Sequence, residues 1–312
     1  MIHIKHILCP VDFSEFSRHA FDRAVAVART FGADVTVLHV MPVPSAVPAL
    51  RYGPEGPGPF GFEVMDRQRA LTQLSHFLAT DGPADVPIHQ EVSESPSIHE
   101  EVLTQIGKTS ADLVVMGTHG RSGFNRLVLG SVAERTLRLS PVPVLVVPPR
   151  AAAADRDPFR SIVCALDFSQ DSASALSYAA SLAQSGAGRL TLVHVVEPLA
   201  VGYDPMVGID FDANAYHQAV SRAARTELQR WATDVQDQSI GSEAMIADGK
   251  AYKEILRVAA ERQADLIVVG VHGRHALDRL VFGSTTEHLV RRATCPVLAV
   301  HSSEDTMRRH PA

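Results

Sequence analysis

The chain contains the segment Asp112-Leu-Val-Val-Met-Gly117-Thr-His-Gly120, which is followed after nine residues by Gly130-Ser131. A short apolar run predicts a strand buried on both faces, and the glycines after it predict a tight turn into a helix. The pattern returns 153 residues later (270 − 117) as Asp265-Leu-Ile-Val-Val-Gly270-Val-His-Gly273, again followed after nine residues by Gly283-Ser284. The fold is therefore built around a strand–turn–helix unit that occurs twice.

The repeat extends beyond this glycine signature. Ile7-Leu-Cys-Pro-Val-Asp12-Phe-Ser corresponds to Ile162-Val-Cys-Ala-Leu-Asp167-Phe-Ser, and Pro143-Val-Leu-Val-Val corresponds to Pro296-Val-Leu-Ala-Val. Solenoid units repeat every ~20–50 residues, whereas about 150 residues suffice for a domain with its own core. We therefore predict two duplicated domains at 1–149 and 160–301, a linker at 150–159 and a flexible tail at 302–312.

Within each half, strand patterns alternate with helix patterns. In the first half we predict strands at 2–10, 34–40, 86–92, 112–116 and 142–147, and helices at 14–31, 63–80 and 131–139. Ser95-Pro96 resembles an N-cap followed by proline at the first helical position, which predicts another helix ending near Gly107. The second half repeats this order from 160 to 301. The predicted fold is α/β, with two tandem domains that each contain a five-stranded parallel sheet flanked by helices.

Composition limits the class of protein. The chain is 46% hydrophobic and 21% charged, with a formal net charge of −6, which is typical of an ordinary globular protein. A dense Lys/Arg stripe is absent from the sequence, as is an apolar run of ~18–20 residues, so neither a nucleic acid nor a membrane is expected as a partner. The beginning of the chain lacks a secretory apolar region, and the expected location is the cytoplasm. Cys9, Cys164 and Cys295 are predicted to be buried thiols.

The repeated signature suggests phosphate binding. In an open parallel sheet, ligands bind at the carboxyl ends of the strands where the strand order reverses, here between strands one and four of each half. Glycines allow the backbone to approach phosphate oxygens, and Gly130-Ser131 opens a helix whose free N–H groups attract anions. A lone Gly-x-x-Gly would indicate only a turn or a helix C-cap, and for Asp12 a cap of the first helix is the alternative to contact with ribose. Recurrence of the whole signature in register favours phosphate.

Histidines and arginines of the signature have alternative roles. His119 and His272 lie within the signature, and His39 and His194 end strand two. Because no cysteine or carboxylate cluster stands at metal spacing, we interpret these histidines as polar lining and predict no metal site. Arg121 and Arg274 follow the second glycine, where they would either neutralise phosphate or remain solvated on the surface.

At these residues the chain resembles the universal stress protein family, and in particular its ATP-binding branch in a tandem two-domain form. The resemblance covers the chain except for the linker, a Pro/Gly-rich loop at 42–62 and the tail. It implies two Rossmann-like (adenine nucleotide alpha hydrolase-like) domains in which the glycines and Gly-Ser hold phosphates. It also implies that the strand-one aspartate holds ribose and that backbone near the end of strand two meets adenine.

Two sites for ATP, with or without Mg²⁺, follow from this resemblance. The first comprises Asp12, Val40, Gly117, Gly120, Gly130 and Ser131, with Val132 nearby. The second comprises Asp167, Val195, Gly270, Gly273, Gly283 and Ser284, with Thr285 nearby. Ala165 replaces Pro10, which loosens the adenine side of the second site.

Hydrolysis requires positioned water, a base and neutralisation of charge. The sequence offers neither a P-loop lysine nor an evident acidic metal pair, so the leading prediction is an ATP-binding regulatory protein of the stress response. At most slow ATP hydrolysis is expected, and no catalytic residue is assigned. The alternatives are an ATP-cleaving or nucleotidyl-transfer enzyme and a nucleotide-independent interaction scaffold.

The resemblance also bears on assembly, because family members pair through their last strands. It implies that 143–147 pairs with 296–300 as a pseudo-dimer within one chain, and it leaves a homodimer open. The downstream protein partner and the inducing stress cannot be read from the sequence.

Overall fold

Apolar, largely β-branched runs form most of the strands in both halves of the chain. The computed structural model describes residues 2–43, 67–79, 85–118, 129–149, 158–198, 212–236, 240–273 and 283–302. The chain divides into two compact units, one comprising His3–Asp155 and the other comprising Arg156–Ala312 together with Met1–Ile2. Each unit repeats the predicted alternation of strands and helices.

The first unit contains five strands and four helices within its described residues. In chain order they are β1 (His6–Pro10), α1 (Glu15–Phe31), β2 (Asp34–Pro42), α2 (Arg67–Ala79), β3 (Ile88–Ser95), α3 (Ile98–Thr109), β4 (Leu113–Gly117), α4 (Ser131–Leu139) and β5 (Val144–Val147). The strand order is β3-β2-β1-β4-β5, and all four strand pairs are parallel.

The second unit has the same arrangement within its described residues. It comprises β6 (Ser161–Ala165), α5 (Gln170–Ser185), β7 (Arg189–Val196), α6 (Ala213–Gln236), β8 (Ser242–Asp248), α7 (Ala251–Glu261), β9 (Leu266–Gly270), α8 (Ser284–Arg292) and β10 (Val297–Val300). Its strand order is β8-β7-β6-β9-β10, with parallel pairs throughout. The prediction of an α/β fold with parallel sheets is confirmed.

The strand order places a switch point in each unit. From β1 the chain moves to β2 and β3 on one side, and then returns to β4 and β5 on the other. Right-handed crossovers consequently place α1 and α2 on one face of the sheet and α3 and α4 on the opposite face. The rings of Phe21 in α1 and Phe77 in α2 lie 6.0 Å apart, in agreement with this layering. The crevice between the carboxyl ends of β1 and β4 is therefore the expected ligand site.

Serine side chains start the first helix of each unit. The Ser17 N–H donates to Ser14 Oγ and the Ser172 N–H donates to Ser169 Oγ, both at 3.2 Å. Such an N-cap satisfies one of the four free N–H groups of a helix and contributes about 1 kcal/mol. The caps fix where α1 and α5 begin relative to the strands that precede them.

Several predicted boundaries differ from the structure by a few residues, and those at α3 and β1 coincide with specific hydrogen bonds. Ser95 is the last residue of β3, where it pairs with Pro42, and the cap position of α3 falls to Ser97. The Val43 N–H donates to the Ser95 carbonyl at 3.1 Å, so pairing with β2 draws Ser95 into the sheet. β1 begins at His6 rather than Ile2, because Asp112 Oδ2 accepts the N–H groups of Lys5 and His6 at 2.7 and 3.0 Å.

All three cysteines are buried free thiols, as predicted. Cys9 and Cys164 are fully buried within β1 and β6, and Cys295 precedes β10. Burial raises the pKa of the Cys9 and Cys164 thiols, because an apolar interior disfavours the thiolate. Among the described helices, none is long and apolar enough to cross a membrane.

Candidate functional site

Asp12 and Asp167 form the same turn at the end of the first strand of each unit. Asp12 Oδ1 accepts the N–H of Ser14 at 3.1 Å and its hydroxyl at 2.5 Å. Asp167 Oδ1 accepts the Ser169 N–H at 3.0 Å. A side chain that bonds the backbone two residues ahead makes an Asx-turn, which orients the carboxylate before the helix starts. The alternative that Asp12 caps the first helix is wrong, because Ser14 is the cap residue and Asp12 orders the turn that precedes it.

An aromatic residue follows each of these aspartates in the left-handed conformation. Phe13 has φ 65° and Phe168 has φ 62°. The Phe13 ring lies 4.2 Å from the His39 ring, and the Phe168 ring lies 4.4 Å from the His194 ring. The turn after the first strand is thus packed against the end of the second strand in both units.

Each of these histidines also holds the backbone of the turn. His39 Nδ1 donates to the Val11 carbonyl at 2.8 Å, and His194 Nδ1 donates to the Leu166 carbonyl at 2.7 Å. Because a carbonyl oxygen only accepts, Nδ1 carries the hydrogen in both rings. The histidines therefore build the site by fixing its backbone. We had predicted only that they line the cleft.

The first glycine of each signature packs against a helix. A Cβ on Gly270 would lie 2.8 Å from Asp171 Cβ, and a Cβ on Gly117 would lie 3.1 Å from the Phe16 carbonyl oxygen. Both glycines end the fourth strand of their unit. Their lack of a side chain lets the first turn of α1 or α5 approach the strand, a packing role that the sequence reasoning did not anticipate.

The later glycine of each signature begins a helix without a side-chain cap. Gly130 and Gly283 occupy the cap positions of α4 and α8, and neither cap position makes a side-chain hydrogen bond. Backbone bonds hold these positions in place, since the Gly130 N–H donates to Thr118 at 2.9 Å and the Gly283 N–H donates to Val271 at 3.2 Å. Ser131 and Ser284 follow and are exposed. Backbone hydrogen bonds therefore hold both helix starts in place, and the first turn of such a helix carries N–H groups that attract anions.

In the second unit the strand-one aspartate meets the signature. A Cβ on Gly273 would lie 2.9 Å from Asp167 Oδ2, and the Ser169 hydroxyl donates to the His272 carbonyl at 3.5 Å. The structure thereby brings Asp167 beside Gly273. In the first unit His119, Gly120 and Arg121 lie outside the described residues, as does Arg274 in the second.

The remaining predicted residues lie at the ends of their elements. Val40 is buried near the end of β2, and Val195, Val132 and Thr285 are partly exposed. Ser302, which we predicted to open the flexible tail, is buried, and its N–H donates to Asp171 Oδ1 at 2.9 Å. The ordered part of the second unit therefore extends through this residue.

Asp171 is a feature of the second unit that the sequence reasoning missed. Its Oδ2 accepts the His272 N–H at 2.9 Å and His272 Nδ1 at 3.1 Å. Burial alone would raise its pKa, but the hydrogen bonds from His272 and Ser302 together hold the pKa of this carboxyl below its ordinary value. Asp171 is therefore a buried carboxylate beside the second signature. The sequence does contain a signal for this residue: the equivalent position in the first half is Phe16, so the acidic Asp171 departs from the repeat.

Two matches to one family model span most of the chain. The model of the Universal stress protein family matches residues 3–148 and 158–301. The chain belongs to the universal stress protein family. Its fold is accordingly a tandem pair of Rossmann-like universal stress protein domains, with the switch-point crevice of each domain formed as described above.

Similar proteins match either one half of this chain or both halves. A universal stress protein of Methanocaldococcus jannaschii is 35% identical over 145 residues, which cover 46% of this chain and 81% of that protein. A universal stress protein of Mycolicibacterium smegmatis is 27% identical over 300 residues, covering 94% and 96%. The crystal structure of a universal stress protein from Archaeoglobus fulgidus covers 97% of this chain and 98% of that chain with a TM-score of 0.66 at 21% identity, a likeness of fold.

Proposed function

We propose that each half of this universal stress protein binds one molecule of ATP or a closely related adenine nucleotide, and that occupancy regulates the protein in a stress response. The observation that carries the proposal is the pair of uncapped helix starts at Gly130-Ser131 and Gly283-Ser284. The N-termini of α1 and α5 are capped by Ser14 and Ser169, whereas α3 and α7 also lack a side-chain cap. What sets α4 and α8 apart is that they follow β4 and β9, the strands beside the switch point.

The phosphate end of the nucleotide fits these helix starts. The first turn of a helix carries N–H groups that lack intrahelical partners and the positive end of the helix dipole. Ser131 and Ser284 add an exposed hydroxyl donor at the same place. Both helices are nine residues long, so each presents an established dipole and not a single turn.

The ribose end fits the turn after the first strand. One oxygen of Asp12 or Asp167 orders that turn, and a carboxylate of this orientation is suited to accept hydrogen bonds from ribose hydroxyls. Val40 and Val195 offer the backbone at the end of the second strand for the adenine edge. This assignment follows the family resemblance residue by residue.

Rapid hydrolysis is not part of the proposal. Glycine, and not the lysine of a P-loop, precedes Ser131 and Ser284. A P-loop enzyme uses that lysine and a held Mg²⁺ to neutralise developing charge. We therefore expect turnover well below about 1 per second, the lower end of ordinary enzyme rates. A faster steady-state release of phosphate would favour the alternative of an ATP-cleaving enzyme.

The test places a negative charge at each helix start. In Ser131→Asp and Ser284→Asp, the new carboxylate would occupy the phosphate position and repel ATP. The stability of the folded protein should not decrease, because both serines are exposed and an acidic residue in the first turn of a helix stabilises that helix by about 0.3–1 kcal/mol. Ser131→Asn and Ser284→Asn are neutral controls of nearly the same shape.

Calorimetric titration of nucleotide-stripped protein with ATP is the measurement. We expect two sites in the parent and in the Asn controls, one site in each Asp variant and none in the double Asp variant. Unchanged binding in the double Asp variant would refute the placement of the phosphates. An absence of binding in the parent would refute the proposal and favour the scaffold alternative.

A further inference from the structure

A buried cluster of three titratable side chains lies in the second half of the chain. Asp171 is the second residue of α5, His272 lies just after β9, and His301 directly follows β10. Their exposed fractions are 5%, 6% and 8%. One potential ligand atom from each residue lies within 4.8 Å of the others, and the two histidine rings are 5.4 Å apart.

The hydrogen bonds fix the chemical form of His272. A carboxylate only accepts, so His272 Nδ1 carries the hydrogen that is donated to Asp171 Oδ2 at 3.1 Å. The other ring nitrogen, Nε2, then carries a lone pair. This Nε2 is buried and has no hydrogen-bond partner. A carboxylate that orients a histidine through Nδ1 and raises the basicity of Nε2 is the usual support of a metal-ligating imidazole.

Burial of this nitrogen without a partner has a cost. Leaving a buried polar group unsatisfied typically destabilises a protein by about 1–3 kcal/mol. A bound cation that takes the Nε2 lone pair removes this cost and is attracted by the buried carboxylate. The buried cluster is therefore more stable with a bound cation than without one.

The first half of the chain does not repeat the cluster. Phe16 stands at the position of Asp171, and Pro148 stands at the position of His301, while His119 matches His272. Only one of the three side chains therefore has an equivalent. The cluster is not a requirement of the duplicated fold.

We propose that the second half binds one divalent transition-metal ion of the zinc class through the imidazoles of His272 and His301, with Asp171 as the carboxylate that orients His272. Imidazole ligands suit zinc and its neighbours, whereas Mg²⁺ and Ca²⁺ prefer sites made wholly of oxygen. Asp171 keeps its hydrogen bond to Nδ1 and contributes negative charge without ligating the ion, and water completes the coordination.

The proposal does not depend on nucleotide binding, and its test contains no nucleotide. Chelator-stripped full-length protein is titrated with Zn²⁺ in competition with a chromophoric chelator, which restricts the readout to tight binding in a chain with 15 histidines. We expect one tight equivalent in the parent, with no competition from Mg²⁺. His272→Gln and His301→Gln should each weaken that binding by about 100-fold or more, at or above the effect of removing a supporting residue.

His119→Gln is the matched control, because it removes the repeat-equivalent histidine that lacks the other two residues of the cluster. It should retain the tight equivalent. Circular dichroism establishes that the variants are folded. Independently of the variants, the parent loaded with one equivalent of Co²⁺ should show the intense visible bands of a four- or five-coordinate ion.

Three results would overturn the proposal. They are the lack of a tight equivalent in the parent, retention of that equivalent in both His272→Gln and His301→Gln, and a Co²⁺ spectrum of the weak octahedral type. In each case the cluster is a hydrogen-bonded part of the core. Loss of zinc binding with intact ATP binding, or the reverse, would separate this proposal from the proposed function.

Discussion

Replacement of Gly270 by alanine is expected to destabilise the second half of the protein. The new Cβ would lie 2.8 Å from Asp171 Cβ, 2.9 Å from the Asp171 carbonyl carbon and 3.0 Å from the Ser172 nitrogen. Carbon atoms in favourable contact are about 3.5–4.0 Å apart. Two of the three neighbours are backbone atoms, so relief requires the first turn of α5 to move by almost 1 Å. Overpacking of this kind costs typically 1–3 kcal/mol, and we expect about 2 kcal/mol.

Two further glycine variants calibrate this expectation. A Cβ on Gly117 would lie 3.1 Å from the Phe16 carbonyl oxygen, so Gly117→Ala should cost less than about 1 kcal/mol. A Cβ on Gly241 would meet nothing within 4 Å. Gly241→Ala should therefore be neutral or stabilise by up to about 1 kcal/mol, because alanine restricts the unfolded chain. The expected loss of stability on substitution by alanine is largest for Gly270, smaller for Gly117 and smallest for Gly241.

Urea unfolding without nucleotide is the assay. Trp231, the only tryptophan of the sequence, lies in α6 with its ring 5.4 Å from Phe168, so its fluorescence reports on the second half. Far-ultraviolet circular dichroism follows Gly117→Ala in the first half. An unchanged fluorescence midpoint for Gly270→Ala would refute the packing role of this glycine. A larger loss for Gly117→Ala than for Gly270→Ala would refute the reasoning from distances.

The remaining predictions concern a cap and the thiols. Ser169→Ala should destabilise the second half by about 1 kcal/mol, since the Ser172 N–H loses its acceptor, and Trp231 fluorescence in urea measures the loss; an unchanged midpoint would contradict the capping role. Cys9 and Cys164 should resist a thiol-specific reagent in the native state at pH 8 and react fully in urea, because both are buried and their thiol pKa is raised. Rapid labelling of the folded protein would contradict this.

Much of the fold could be predicted because its signals are local. Most of the described strands are short apolar runs with turn residues on either side, and only β3 and β8 at the sheet edges are polar and partly exposed, so the alternation of strands and helices was readable. The switch point followed from that alternation and from the rules of right-handed crossover. The start of α3 was not readable, because Ser95 is drawn into β3 by pairing with Pro42, a contact between residues 53 positions apart in the sequence (95 − 42).

The candidate site was only partly readable for a related reason. Gly130 and Gly283 have the helix-opening role that the spacing predicted, and Asp167 lies beside Gly273. The spacing could not reveal that Gly270 is required for close packing of α5. It also could not reveal Asp171 as the partner of His272, since 101 residues separate them and the sheet alone brings them together. Comparison of the two halves position by position would have shown Asp171 to be exceptional.

The left-handed conformation of Phe13 and Phe168 has a consequence for affinity. A residue with a side chain in this conformation carries a cost of roughly 1–2 kcal/mol, which the aspartate turn and the contact with the neighbouring histidine ring offset during folding. The carboxylate is thus preorganised before any ligand arrives. If a nucleotide binds there as proposed, little binding free energy would be lost to ordering the turn. The entropic cost of ordering the turn would fall in the folding step and would not reduce the binding constant.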